Sequence, residues 1–425
     1  MSDATNPGAT DATKPAGAGD ATPDGDSGRE RRHSGASEAR RVLAGEGAWL
    51  LVVGVALIAF ANFPPLPMRG AQLSDLVAGC GALLVIASAL VTRGLAGALA
   101  LMSRPGATAA LAYGVGAIAA YATAGGSELR LLGYLWLVGF GLAIAIASAD
   151  EQVALRLRRA LVVAALIGAL TGLAGAVLFW LGKPTGLLNI AGDLVPGDYP
   201  RIRGTMLRAN ALAGLLATGL LLLGDVPRKW RVPVAVVLVA ALALTFSRSW
   251  IALAGAGAVW WLVLRPDHSR TRDALAVIVV LGVVAVMLAI SWLDVRVDPS
   301  RPWDTHLGGG TGTRWIHLND ALATIGAHPL GVGPGRAATY DGWDAHFAPV
   351  NIAAVIGIPA ALAFIALFAI ALVRAARAAR AGDLASRGVA AALVLFAFDA
   401  LARDIEDQRA LWVLLGLALV AKRRA

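Results

Sequence analysis

The chain has 425 residues, of which 57% are hydrophobic and 15% charged, and its mean hydropathy is +0.68. A water-soluble domain of this size needs far more polar surface, so composition excludes the ordinary soluble classes. The formal net charge of +9 does not point to nucleic acid, because the basic residues are scattered through short stretches between apolar blocks.

Residues 1–45 are rich in Gly, Ala, Asp, Thr and Ser and include the run Arg29-Glu30-Arg31-Arg32. Nothing there can bury a core, so a disordered cytoplasmic tail is expected, without the features of a secretory signal. Residues 46–425 then read as one transmembrane domain. Twelve apolar segments follow, at about 47–64, 73–91, 106–124, 131–148, 160–181, 208–223, 233–246, 249–264, 274–293, 349–373, 388–402 and 408–421. A helix of about 20 residues crosses a ~30 Å hydrocarbon core, and the blocks lack the alternation of a barrel strand. The expected fold is all-α: a polytopic integral membrane protein of about twelve transmembrane helices, with a long periplasmic loop between the ninth and tenth.

Loop charge gives the orientation. Arg93 and Arg104, then Arg156, Arg158 and Arg159, then Arg228, Lys229 and Arg231 fall on one side. Arg265, Arg270 and Arg272, then Arg374, Arg377, Arg380 and Arg387, then Lys422, Arg423 and Arg424 continue the set. With twelve spans, all of these and both termini are cytoplasmic. The other side then holds the loops at about 182–207 and 294–348, the Ser247-Arg248 hairpin and the turn from Arg403 to Asp407. Cys80, alone in an apolar block, reads as a small packing residue. Asp399 is the main candidate for a charge within a span, close to its end. No internal repeat is evident, and nothing suggests the paired charges of an ion pathway.

The loop 294–348 is too long for a connector and concentrates polar residues. It carries Arg296, Arg301, Arg314 and Arg336, with His306, His317, His328 and His346. Thr313 can cap a short helix to about Ile325 with Trp315, Leu318, Leu322 and Ile325 on one face, as on a helix lying at a membrane surface. His328-Pro329-Leu330-Gly331-Val332-Gly333-Pro334-Gly335 then ends the helix and turns the chain. Of the histidines, His306, His317 and His328 read as surface residues.

Four features in order resemble the superfamily of O-antigen ligases and polymerases, which act on lipid-linked glycans. They are Gly204-Thr205-Met206-Leu207-Arg208-Ala209-Asn210-Ala211-Leu212, with an Arg-x-x-x-Leu pattern, and Leu244-Thr245-Phe246-Ser247-Arg248-Ser249. Arg314-Trp315 ahead of the His328 to Gly335 run is the third, and His346, eleven residues before Gly357, the fourth. The resemblance covers about 200–375. The chain departs from the family pattern at Phe347, where a polar residue is usual, and at Ala360, where a second glycine is usual.

The resemblance implies a bacterial inner-membrane, multi-pass glycosyltransferase with its site on the periplasmic side. Its donor would be an undecaprenyl-diphosphate-type (polyprenyl-diphosphate-linked) glycan and its acceptor a sugar hydroxyl on a glycolipid or glycan. Lipid A–core, the acceptor of a ligase, is favoured over a second lipid-linked glycan, that of a repeat-unit polymerase. A transporter or flippase is a more remote alternative. Such chemistry needs cations for the diphosphate leaving group, and the guanidinium fork binds phosphate oxygens bidentately. Arg248, Arg314 and Arg208 are the expected diphosphate ligands, with Arg336 and Arg203 as weaker candidates and Arg201 as a local contact. His346 is the expected catalytic base at the mouth of the tenth span, and Asp341 or Asp344 could orient it. The scattered histidines and aspartates lack metal-ligand spacing, so neither a metal nor a cofactor is expected.

Overall fold

The structure, a computed structural model, describes residues 45–61, 72–183, 190–191, 201–206, 208–247, 249–264, 269–293, 311–336, 345–401 and 403–421. The tail, the histidine at 306, Arg248, Asp341 and Asp344 lie outside the described residues, as do most of the 182–207 loop and residues 294–310 and 337–344. Arg314 falls within a described helix, but its side chain does not belong to the described set.

A helix lies over each of the twelve expected apolar segments. Among the described residues the helices are α1 (Gly45–Ala59), α2 (Leu73–Met102), α3 (Pro105–Ala124), α4 (Glu128–Ala147), α5 (Glu151–Trp180) and α6 (Ala209–Leu221). α7 (Arg228–Leu244), α8 (Ser249–Leu262) and α9 (Arg270–Leu293) follow, then α10 (Thr311–Ala327), α11 (Ala348–Ile356), α12 (Ile358–Arg380), α13 (Leu384–Asp399) and α14 (Arg409–Val420). Five of these contain segments long and apolar enough to cross a membrane: Leu73–Thr92, Pro105–Ala124, Glu128–Ala147, Glu151–Trp180 and Ile358–Arg380. Large apolar side chains face outward from them, including Leu83, Val115, Leu132 and Leu362. Among the described residues the only strands are a two-residue antiparallel pair, β1 (Ile190–Ala191) with β2 (Arg201–Ile202), in the first long loop.

Small residues set the helix separations. A Cβ added at Gly116 of α3 would fall 2.6 Å from the Ala360 Cβ of α12, and one at Gly416 of α14 would fall 2.6 Å from the Gly141 carbonyl of α4. Close backbone approach maximises dispersion contact where lipid is as apolar as the side chains themselves. It also accounts for the methyl at Ala360, which is seated against the missing side chain of Gly116. Cys80, by contrast, is exposed on α2 and packs against nothing inside, so its expected packing role is corrected. A thiol is small and apolar enough to sit on an outward helix face.

Helix termini sort into two sets. At one end, Arg158 of α5 pairs with Asp225 beyond α6 at 3.0 Å, and Gly388 of α13 lies against the Leu221 carbonyl of α6. At the other end, Asp75 of α2 accepts from Arg409 of α14 at 2.8 Å and from the Trp136 indole of α4 at 3.0 Å. Arg159 and Arg231 also bond at the first end, while the starts of α6 and α8 meet the α13–α14 turn at the second.

The tenth apolar segment is not one helix. α11 stops at Ile356, Gly357 takes φ +95, and Pro359 starts α12 afresh. Proline fits the first turn of a helix and glycine the residue after one, so the pair punctuates the run. The break is filled by the glycine-rich turn after α10. Val332 N donates to Ala354 O, Gly333 N to Val355 O and Ile358 N to Pro329 O, each at 2.9 Å, while Ser127 N donates to Pro334 O at 2.7 Å. A Cβ at Gly357 would meet the Leu330 carbonyl carbon at 2.8 Å. Gly357 thus lies between two helices, and its missing side chain admits this turn.

Gly333 has φ +105, and an added Cβ would stand 2.0 Å from the Gly125 carbonyl oxygen. Gly333→Ala is therefore expected to cost about 3 kcal/mol or more. Gly139→Ala, in mid-α4 with nothing within 4 Å of the new methyl, should fall within about 1 kcal/mol of neutral. Melting of the two detergent-solubilised variants measures the difference, and equal melting temperatures would refute the wedge.

Candidate functional site

The site is assembled on the turn between α13 and α14, residues 399–408. On one flank, Asp399 ends α13 almost fully buried and forms an ion pair with Arg403 four residues later. Ser249, first residue of α8, donates from Oγ to Asp399 Oδ1 at 3.3 Å, and Arg403 reaches the same hydroxyl at 3.3 Å. Ser247 Oγ lies 3.1 Å from Ser249 Oγ. Arg403 also donates to the Asn210 carbonyl in the first turn of α6. Arg201 in β2 completes the cluster, donating to Asn210 Oδ1 at 2.7 Å and to the Thr245 carbonyl at the end of α7 at 3.0 Å. Two buried ions with no other partners would be costly, and here hydroxyl and carbonyl groups share the load.

Local geometry explains why these segments can meet. Gly204 turns at φ +55 where a Cβ would press on Thr171 Oγ1 at 2.7 Å, and Thr205 Oγ1 donates to the Ala59 carbonyl of α1 at 2.6 Å. This pins the approach to α6. Arg208 is extended, serves as N-cap of α6 without a side-chain cap bond, and is exposed. Phe246, at φ +48, makes the tight turn between α7 and α8.

On the other flank, the Nδ1 of His346 stands 3.8 Å from Oδ2 of Asp404, whose side chain is largely buried. His317 from α10 brings its ring to 5.9 Å from that of His346. His346 has φ +54, a left-handed conformation uncommon for residues other than glycine and found disproportionately where function demands it. The surrounding backbone enforces it. Ala348 N donates to Ala400 O at 3.0 Å, Ala345 N to Asn351 Oδ1 at 3.2 Å, and Asn351 Nδ2 to Glu406 Oε1 at 2.9 Å. The Trp412 indole then donates to the Glu406 carbonyl at 2.7 Å, tying the turn to α14. One short turn thus carries both flanks.

The expected residues fare differently. His346 sits at this end of the protein as expected, ahead of α11. Arg208 lies beside the Asn210 anchor. Arg203 is half-buried in the turn before α6, and Arg336 is exposed near Gly125, with its terminal nitrogen 3.6 Å from where a Cβ there would stand. Arg201 is a local contact, as expected. His317 was expected on the surface but is buried, because the face of α10 that packs inward is His317, Ala321 and Thr324. Leu322, turned away from that face, is exposed. The carboxylate facing His346 is Asp404, which sequence reasoning did not propose, and Arg403, Asn210, Asn351 and Glu406 were likewise missed. Among the described residues, no group of three or more His, Cys, Asp or Glu side chains is arranged to hold a metal ion.

No family model matches the chain, and no curated protein sequence matches it.

Asp399→Ala should leave the Arg403 guanidinium without its carboxylate and cost about 3–5 kcal/mol. The double replacement Asp399→Leu with Arg403→Met should recover most of that loss, since buried pairs exchange for apolar ones at little cost. A double-mutant cycle on melting temperatures reads this out. Additive losses would mean that the pair is not coupled.

Proposed function

We propose that the chain is a multi-pass inner-membrane glycosyltransferase that moves a glycan from a polyprenyl-diphosphate donor to a sugar hydroxyl, in the manner of an O-antigen ligase with lipid A–core as acceptor. The observation that carries the reading is the shared turn at 399–406. It joins the His346–Asp404 pair to the segments that bear the resemblance, 201–210 and 247–249.

In this mechanism the acceptor hydroxyl attacks the anomeric carbon while His346 accepts its proton. The bond from that carbon to the diphosphate oxygen breaks, and the leaving diphosphate takes the electron pair. Asp404 faces the imidazole from 3.8 Å and stabilises the imidazolium as it forms. The diphosphate is held by Arg208, Arg248 and Arg314, with Arg336 and Arg203 at its margin, because fixed cations in a partly dehydrated site stabilise developing charge better than water does. Arg403 and Arg201 are positioning residues: their guanidinium groups are spent on Asp399, Asn210 and Thr245. Neither a metal nor a nucleotide sugar is required. The basic end faces the cytoplasm and the site the periplasm, with about twelve crossings between them.

Purified protein given a lipid-linked glycan with either lipid A–core or a second lipid-linked glycan tests the reading. Transfer to the core supports it. Chain extension would identify a repeat-unit polymerase, and no transfer to either would refute it. His346→Ala is expected to lower turnover about 10²–10⁴-fold with donor binding kept. Because the base must be neutral to act, wild-type transfer should fall as pH drops through the imidazole titration, and that limb should vanish from the residual activity of the variant.

Arg248→Lys and Arg314→Lys should each lose most transfer at unchanged protein level, since lysine keeps the charge but not the fork. Near-normal rates in both would remove these residues from the diphosphate site.

A further inference from the structure

At the end opposite the candidate site, four helix ends enclose a groove. It is a shallow, outward-opening groove bounded by the start of α3, the ends of α4 and α14, and the last turns of α12, with an internal volume of about 40 Å³, so a ligand would lie along it rather than inside it. Its wall is carbon, from Ala107, Leu142, Ile146 and Leu419 among others, and among the described residues its charged lining is Arg104 and Arg374, with no acidic side chain. Arg374 is held in place by donating to the Leu419 carbonyl at 2.6 Å. Arg104 is exposed where α3 begins, and its side chain makes no capping bond to the helix. Gly106 lets α14 close over the first turn of α3, since a Cβ there would stand 2.2 Å from Leu419 Cδ2.

An apolar trough with two guanidinium groups at its edge suits a ligand that is anionic at one end and hydrocarbon at the other. We propose that this groove binds one anionic phospholipid. The headgroup phosphate lies between Arg104 and Arg374, and an acyl chain runs along Leu142, Ile146 and Leu419. Free phosphate would leave the carbon wall unused, and a zwitterionic lipid would leave the two cations only half compensated. The site is independent of the glycan chemistry at the other end. It gives the helix ends around the groove a lipid-dependent clamp, because a ligand that binds only the folded state stabilises it.

The test uses the full chain in detergent, titrated separately with phosphatidylglycerol, phosphatidylcholine and inorganic phosphate. Native mass spectrometry gives the bound lipid and thermal melting the stabilisation. Phosphatidylglycerol is expected to bind at least about tenfold tighter than phosphatidylcholine and to raise the melting temperature, while phosphate alone does neither. Arg104→Gln should weaken phosphatidylglycerol several-fold, and Ala107→Phe should block it with both arginines intact. Arg228→Gln with Lys229→Gln, in a different basic segment, should leave binding unchanged. Arg374→Gln is the less secure variant because it also removes the cap on Leu419, so the first two decide. Equal binding of the two lipids, full stabilisation by phosphate alone, or undiminished binding in both deciding variants would overturn the proposal.

Discussion

The organisation of the site end depends on an exchange of main-chain hydrogen bonds between a broken helix and a glycine-rich turn. When the chain stops being helical between α11 and α12, the carbonyls of Ala354 and Val355 lose their partners four residues on. In apolar surroundings each orphaned group costs several kcal/mol. The amides of Val332 and Gly333 take up those carbonyls, and the Pro329 carbonyl takes the amide of Ile358. The turn can come this close only because Gly331, Gly333 and Gly357 all have positive φ and no side chain. Everything placed by the turn, including α10 with His317, is therefore set relative to α11 and His346.

A second linkage crosses the same end. The α13–α14 turn reaches α6, α8, α11 and α14 through Arg403, Asp399, Ala400 and Glu406. An isolated buried pair contributes little net stability, because desolvation offsets attraction. Its use here is directional: a guanidinium offering several donors in one plane fixes α6 against α13 and α8, which apolar contact alone leaves free to slide. The α6 segment that carries Arg208 is oriented by that plane. His346 faces the neighbouring residue, Asp404, at 3.8 Å.

Much of the frame was legible in the sequence because hydrophobic blocks and their punctuation are local signals. Helices lie over every expected apolar segment, and the 311–327 helix runs close to its expected bounds. The break at Gly357 went unread because Ile-Gly-Ile-Pro lies inside one long apolar run, although a glycine two residues before a proline was the available sign. His317 was read as a surface residue because a lone histidine in a polar stretch carries no mark of burial, yet the packed side of α10 is the small and polar one, His317, Ala321 and Thr324. Arg403 with Asp399 was a readable pair at four-residue spacing. Asp404 opposite His346 was not readable, since its proximity is created where the start of α11 meets the turn after α13 and leaves no mark in either segment.

The glycine and alanine contacts along the helices have a further consequence. Where Gly116 meets Ala360 and Gly141 meets Gly416, the rods touch backbone to backbone and have no long side chains between them to absorb a change. A bulky contact is a cushion, whereas these are hard stops. Any displacement imposed at mid-helix is transmitted along a stiff rod to both of its ends, so the two surfaces of the protein are mechanically coupled through its narrowest seams.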